Sequence, residues 1–242
     1  SQDGWWYYFI FAFLIKTPIP VITFTVAAIL YASFDRLNRT VILWAALPIA
    51  LIFTVMSMQK VNIGLRHILP VYPFLFLLCG YAARIRTASM TAAKTVFASF
   101  IIWYAYAAVS ITPHQLAYFN EFVGGPKNGY KYLVDSNLDW GQDLSGLKDY
   151  MDDKNIKSVK LAYFGLNDPA DFGIEYDYLP SYAIVNPKNV TESVKLKGWF
   201  AIRATMLQGV YLRDKDLYAI FKGMDPVDVI GYSIFVYKLP SS

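Results

Sequence analysis

The sequence predicts an integral membrane α-helical part, with four spans and an interfacial or re-entrant N-terminal helix, followed by a small α/β extracytoplasmic domain. Three observations predict it. The 242-residue chain is 56% hydrophobic and only 17% charged, and its mean hydropathy is positive, which water-soluble domains of this length seldom show. Its charges are also divided. Residues 1–112 hold eight Lys/Arg against two acids (net +6), and residues 113–242 hold fourteen against sixteen (net −2), together the +4 of the whole chain. Finally, long apolar runs fall only in the first part, so the predicted domains are a transmembrane helical domain over 1–112 and a periplasmic or lumenal α/β domain over 113–242.

Trp5 to Ile15 is an apolar run of eleven residues, opened by Trp-Trp-Tyr-Tyr and closed by Lys16-Thr-Pro18-Ile-Pro20. Crossing a bilayer takes roughly 20 apolar residues, and clustered Trp and Tyr favour the headgroup level. This run therefore predicts the interfacial or re-entrant helix. The prolines mark a break, and apolar runs at 18–34, 40–58, 68–83 and 95–111 predict the four spans. The turns at 35–39 and 84–94 carry five bases against two in the loop at 59–67. By the positive-inside rule the first two face the cytoplasm, which puts the tail outside, in a periplasm or lumen.

In the tail, Leu144, Leu147 and Met151 recur at helical spacing within 142–152. Runs at 159–164, 182–185, 199–204 and 229–239, rich in aromatic and β-branched residues, predict strands, and 214–222 a short helix.

Composition also excludes functions. No basic stripe interleaved with aromatics appears, so nucleic acid is not a partner. The lone Cys79 lies in an apolar run and can form no intrachain disulfide. His67 and His114, the two histidines, are far apart, so neither a His-based metal site nor a triad is predicted. The tail shows no Gly-rich phosphate loop or nucleophile elbow, and no cofactor is predicted.

Two stretches carry chemistry. The first is the loop at 59–67, where Lys60, Asn62 and Arg66 stand with no acid between them. Arg presents a planar fork of donors that grips a phosphate in two places, and Lys adds a mobile point charge. With Lys16 on the same side, they form a predicted lipid-phosphate site; the alternative is that these bases simply snorkel to headgroups. The second stretch is Asp135-Ser-Asn137-Leu-Asp139-Trp140-Gly-Gln-Asp143. Its alternating acids resemble a calcium loop, but Trp140 and Gly146 occupy the places where such a loop needs Gly and a bidentate Glu, so no metal is predicted. Asp135, Asn137, Asp139, Trp140 and Asp143 instead predict a structural turn in which Asp139 or Asp143 caps a helix beginning near Gln142 and Asp139 and Trp140 are buried or tightly bonded.

Several blocks stand out: Gly4-Trp-Trp-Tyr-Tyr-Phe with Lys16-Thr-Pro, Asn62-Ile-Gly-Leu-Arg66-His-Ile-Leu-Pro70-Val-Tyr-Pro73, Tyr118-Phe-Asn-Glu-Phe-Val-Gly-Gly-Pro126, the Asp135–Asp143 block and Ile230-Gly-Tyr-Ser-Ile. Together they resemble the C-terminal part of bacterial membrane glycosyltransferases of the protein mannosyltransferase-like group, glycosyltransferase family 39 of the GT-C superfamily, enzymes of the bacterial inner membrane. The resemblance implies transfer of a sugar from a polyprenyl-phosphate carrier on the outer face of the membrane. It also implies a Ser and an Asn where Arg203 and Met206 stand, and a catalytic carboxylate in an outer loop upstream of this chain. The sequence is therefore expected to be the part of such an enzyme that lacks the catalytic N-terminal half. The alternative is a non-catalytic accessory subunit of a larger membrane complex. Expected partners are membrane lipids, a polyprenyl-phosphate-linked sugar, and the missing half or other membrane subunits; no residue here is assigned to catalysis.

Overall fold

The computed structural model describes residues 4–34, 39–60, 62–85, 89–183 and 197–240. Part of the basic turns (35–38 and 86–88) and the end of the expected strand at 182–185 lie outside the described residues. The chain divides into two compact units, Ser1–Gly125 and Pro126–Ser242.

The first unit is helical. Helices α1 (Tyr8–Lys16), α2 (Ile19–Phe34), α3 (Arg39–Ser57), α4 (Tyr72–Ala82) and α5 (Met90–Ser110) follow one another, with a 3-10 turn, Leu65–Val71, leading into α4. Two helical segments, Leu65–Ala82 and Met90–Ser110, are long and apolar enough to cross a membrane, and the bent pair α1–α2 makes a third if it counts as one span. This is the mark of an integral membrane protein. Exposure supports it: Trp44 is 72% exposed on α3 and Val109 73% on α5, a display of large apolar side chains that suits lipid and not water. Interior contacts are made by small residues. Ala28 and Ala32 of α2, Ala45 of α3 and Ala82 of α4 pack around Leu78 and Tyr81, letting the helices approach closely.

The break between α1 and α2 has a local cause. Pro18 has no N–H and forces the preceding residue out of helical geometry, and Thr17 is indeed extended, with ψ 135°. The helices turn through 113° there. Such a break orphans carbonyls at the end of α1. Asn120, from beyond α5, satisfies them: its side-chain amide donates to the carbonyls of Leu14 (2.7 Å) and Thr17 (2.8 Å), and its backbone N–H to Ile15 (2.8 Å). The segment 113–125, grouped with the outer domain on sequence grounds, thus belongs to the helical unit.

In the second unit, after the single turn α6 (Pro126–Gly129), helix α7 (Leu144–Asp153) covers a mixed sheet. Its strands are β1 (Val159–Ala162), β3 (Tyr176–Tyr178), β5 (Gly198–Arg203), β6 (Asp228–Ile230) and β7 (Ile234–Leu239), in the order β3-β1-β5-β7-β6, with β2 (Phe164–Gly165) and β4 (Tyr182–Ala183) forming a separate parallel pair. β1 is parallel to β3 and β5, while β7 runs antiparallel to β5 and β6. The two faces of β5 follow its alternation. Ala201 joins Leu144, Leu147 and Met151 of α7 in the main core, whereas Phe200 meets Phe221 of the one-turn helix α8 (Ala219–Lys222), ring centroids 5.1 Å apart. The expected single strand at 229–239 is a hairpin, because Gly231 and Tyr232 take positive φ and reverse the chain. The expected helix at 214–222 survives only as α8.

Candidate functional site

In the helical unit, the loop 60–67 is bound to the N-terminal aromatic segment. Asn62 Nδ2 lies 3.5 Å from the carbonyl of Trp5, and the Gly64 N–H donates to the Tyr8 hydroxyl at 3.0 Å. Lys60 and Arg66 are exposed, as are Trp5, Trp6 and Tyr7, while Asn62 is half-buried. Arg66 Nε approaches His67 Nε2 at 3.4 Å. Two cations and a cluster of amphipathic rings therefore share one rim of the unit, the composition of a membrane–water interface. Lys16 is placed differently. Its ammonium is buried, donates to the Leu116 carbonyl at 2.8 Å and lies 4.3 Å from the Phe119 ring centroid. It serves the elbow at the end of α1, where a cation also complements the helix dipole. Among the described residues of this unit, Glu121 is the single carboxylate; it is exposed and accepts from the Trp103 indole N–H at 2.8 Å.

In the sheet unit, the Asp135–Asp143 block sits at the carboxyl ends of the parallel strands β1 and β5. Asp139 forms an ion pair with Arg203, the last residue of β5, and both side chains are completely buried. Gly141 N–H donates to the same carboxylate (3.2 Å), and the Thr205 hydroxyl lies 3.5 Å from its other oxygen. Arg203 also donates to the Gln142 carbonyl and lies over the Tyr163 ring, 5.0 Å from its centroid. Burial is the largest influence on Asp139 and outweighs the Arg203 charge, pushing its carboxyl up to about 6, since one guanidinium does not return all that a carboxylate loses on leaving water.

Around this centre, the Asp135 N–H donates to Thr205 Oγ1 at 3.0 Å and the Asp135 carboxylate accepts from Tyr211, whose ring stacks on Phe164. Asn137 is buried. One expectation is corrected here. Asp143 does not cap α7 through its side chain: the helix starts at Leu144, and the carboxylate accepts from Ser233 at 2.7 Å. Trp140 is 45% exposed but bonded within the turn, its backbone N–H donating to Gln142 Oε1 at 2.6 Å.

No group of three or more His, Cys, Asp or Glu among the described residues could hold a metal ion. The carboxylates instead face an arginine, a tyrosine and a serine, so the block's chemistry is that of internal neutralisation.

Sequence reasoning missed Arg203, treating it as a departure from the family pattern. A signal was available: the strand Gly-Trp-Phe-Ala-Ile-Arg ends a buried apolar run, and an arginine there demands an acid. Set against protein-family models, curated protein sequences and solved structures, the chain matches none.

Proposed function

We propose that the chain is the C-terminal portion of a polyprenyl-phosphate-sugar-dependent membrane glycosyltransferase acting on the extracytoplasmic face. In this reading α2, α3, Leu65–Ala82 and α5 are four spans, α1 is re-entrant, and the sheet unit lies outside. The observation that carries the proposal is the rim where Lys60 and Arg66 are exposed beside Trp5, Trp6 and Tyr7. A carrier phosphate at that rim meets two cations, while its polyprenyl tail remains in lipid. The same cations stabilise the phosphate as it leaves. Lys16 is not part of this pocket, because its ammonium is engaged inside the elbow. The base that deprotonates the acceptor comes from a segment outside those described.

Binding of a short-chain polyprenyl phosphate to wild type, Lys60→Ala and Arg66→Ala in nanodiscs tests the proposal. Loss of a charge-assisted contact weakens binding by roughly 1.5 to 3 kcal/mol; equal affinities for all three proteins overturn it. A second reading, a non-catalytic accessory subunit, draws on the internal engagement of Lys16 and Asp139. It predicts no headgroup preference at the rim.

A further inference from the structure

A groove of about 720 Å³ opens between α2 and α5, among whose lining residues are Phe24, Ala27, Ala83, Ala93, Lys94 and Phe97. Its shape follows from the two helix sequences. Phe24 of α2 touches Phe97 and Phe100 of α5, with centroids 5.0 and 5.1 Å apart, so large rings hold the helices together at that level. Further along, Ala27 and Ala93 face the same space and are too short to close it. Space between two apolar helices in a bilayer does not stay empty: lining atoms without partners forfeit their dispersion contacts, and acyl chains are at hand to supply them.

One end of the groove is polar. Ser89 caps α5, accepting the Ala92 N–H at 3.3 Å, and Lys94 stands one turn further on. The α5 N-terminus adds a partial positive charge. Glu121, the single carboxylate among the described residues of this unit, is tied to Trp103 in the C-terminal half of α5. The groove therefore joins an apolar channel to a positive mouth.

We infer that the groove binds one acyl chain of an anionic glycerophospholipid, whose phosphate is held at the mouth by Lys94. A partner helix fits less well, since it must bring an acid of its own to face Lys94, whereas an anionic lipid brings chain and charge together. A zwitterionic lipid carries a cation that opposes Lys94. The site is separate from the rim at 60–67 and does not depend on the transferase reading.

The test is native mass spectrometry of the full chain in detergent, titrated with phosphatidylglycerol or phosphatidylcholine of the same acyl composition. Wild type is expected to retain phosphatidylglycerol about fivefold better, the effect of one lysine at a membrane surface. Lys94→Gln removes that preference without touching the apolar channel. Ala27→Phe fills the channel and lowers retention of both lipids; Ala93→Leu does the same with less bulk, in case the first variant disturbs packing. Equal retention of the two lipids by wild type overturns the inference. So does a preference that survives Lys94→Gln, retention unaffected by both filling variants, or a groove closed by self-association of the chain.

Discussion

Replacing Arg203 by Met removes the guanidinium and keeps most of the side-chain volume. The structure sets the size of the effect. Asp139 and Arg203 are both fully buried, so the variant strands a carboxylate in the interior and also frees the Gln142 carbonyl. Breaking such a pair from one side costs about 3 to 5 kcal/mol. For a unit of this size that lowers the melting temperature by on the order of 10 to 20 °C. The assay is thermal unfolding of the full chain in detergent, with limited proteolysis of the sheet unit reporting where unfolding occurs. Asp139→Asn is the control: burial already favours an uncharged group at this position, so the neutral amide costs less than the loss of the arginine. A melting temperature for Arg203→Met within about 3 °C of wild type, or equal losses for both variants, refutes the account of a buried, mutually dependent pair.

Asp139 also has a pH signature. Its carboxyl is raised to about 6 by burial, so the folded state holds the proton more tightly than the unfolded one. The corresponding stability is fully present below about pH 4 and is lost as pH rises through 6. Melting curves check this: wild type is expected to lose melting temperature relative to Asp139→Asn as pH rises through 6, and a gain relative to that variant contradicts it. Asp139→Ala is expected to lower the melting temperature equally with and without calcium; a large calcium-dependent rise in wild type alone restores a metal role. Asn120→Ala leaves the Leu14 and Thr17 carbonyls without their donor and is expected to cost about 1 to 3 kcal/mol, measured as lost heat resistance of detergent-purified protein. Gly231→Ala places a methyl group against the Asp143 carboxylate at φ +57°; a melting temperature unchanged from wild type contradicts the packing of that corner.

The apolar helices were legible because their signal is cumulative: every residue of a span contributes to it, and the observed helices fall close to the expected ones. The strands at 159–164 and 199–204 were legible through their aromatic and β-branched content. What escaped the sequence depended on distance along the chain. β3 is a three-residue strand whose existence follows from pairing with β1, and nothing in Tyr-Asp-Tyr alone declares it. Asp143 had the right residue type for a helix cap, yet its backbone is left-handed and its partner is Ser233. The acidic block was conspicuous, but its meaning lay 64 residues away in Arg203. Local propensity marks where polar groups gather and is silent about which of them meet across the fold.

The elbow between α1 and α2 has a consequence for biogenesis. Its exposed carbonyls are closed by a side chain that enters the polypeptide some hundred residues later, after every apolar helix of the unit has been made. A nascent chain ending before Asn120 therefore carries an α1 whose last turn must borrow donors from water or lipid headgroups. Lys16 likewise awaits the Leu116 carbonyl. Until then the aromatic segment leading into α1 lacks these bonds, and its final seat is locked from the far end of the unit. The order of insertion is thus written into which residue supplies the last hydrogen bond.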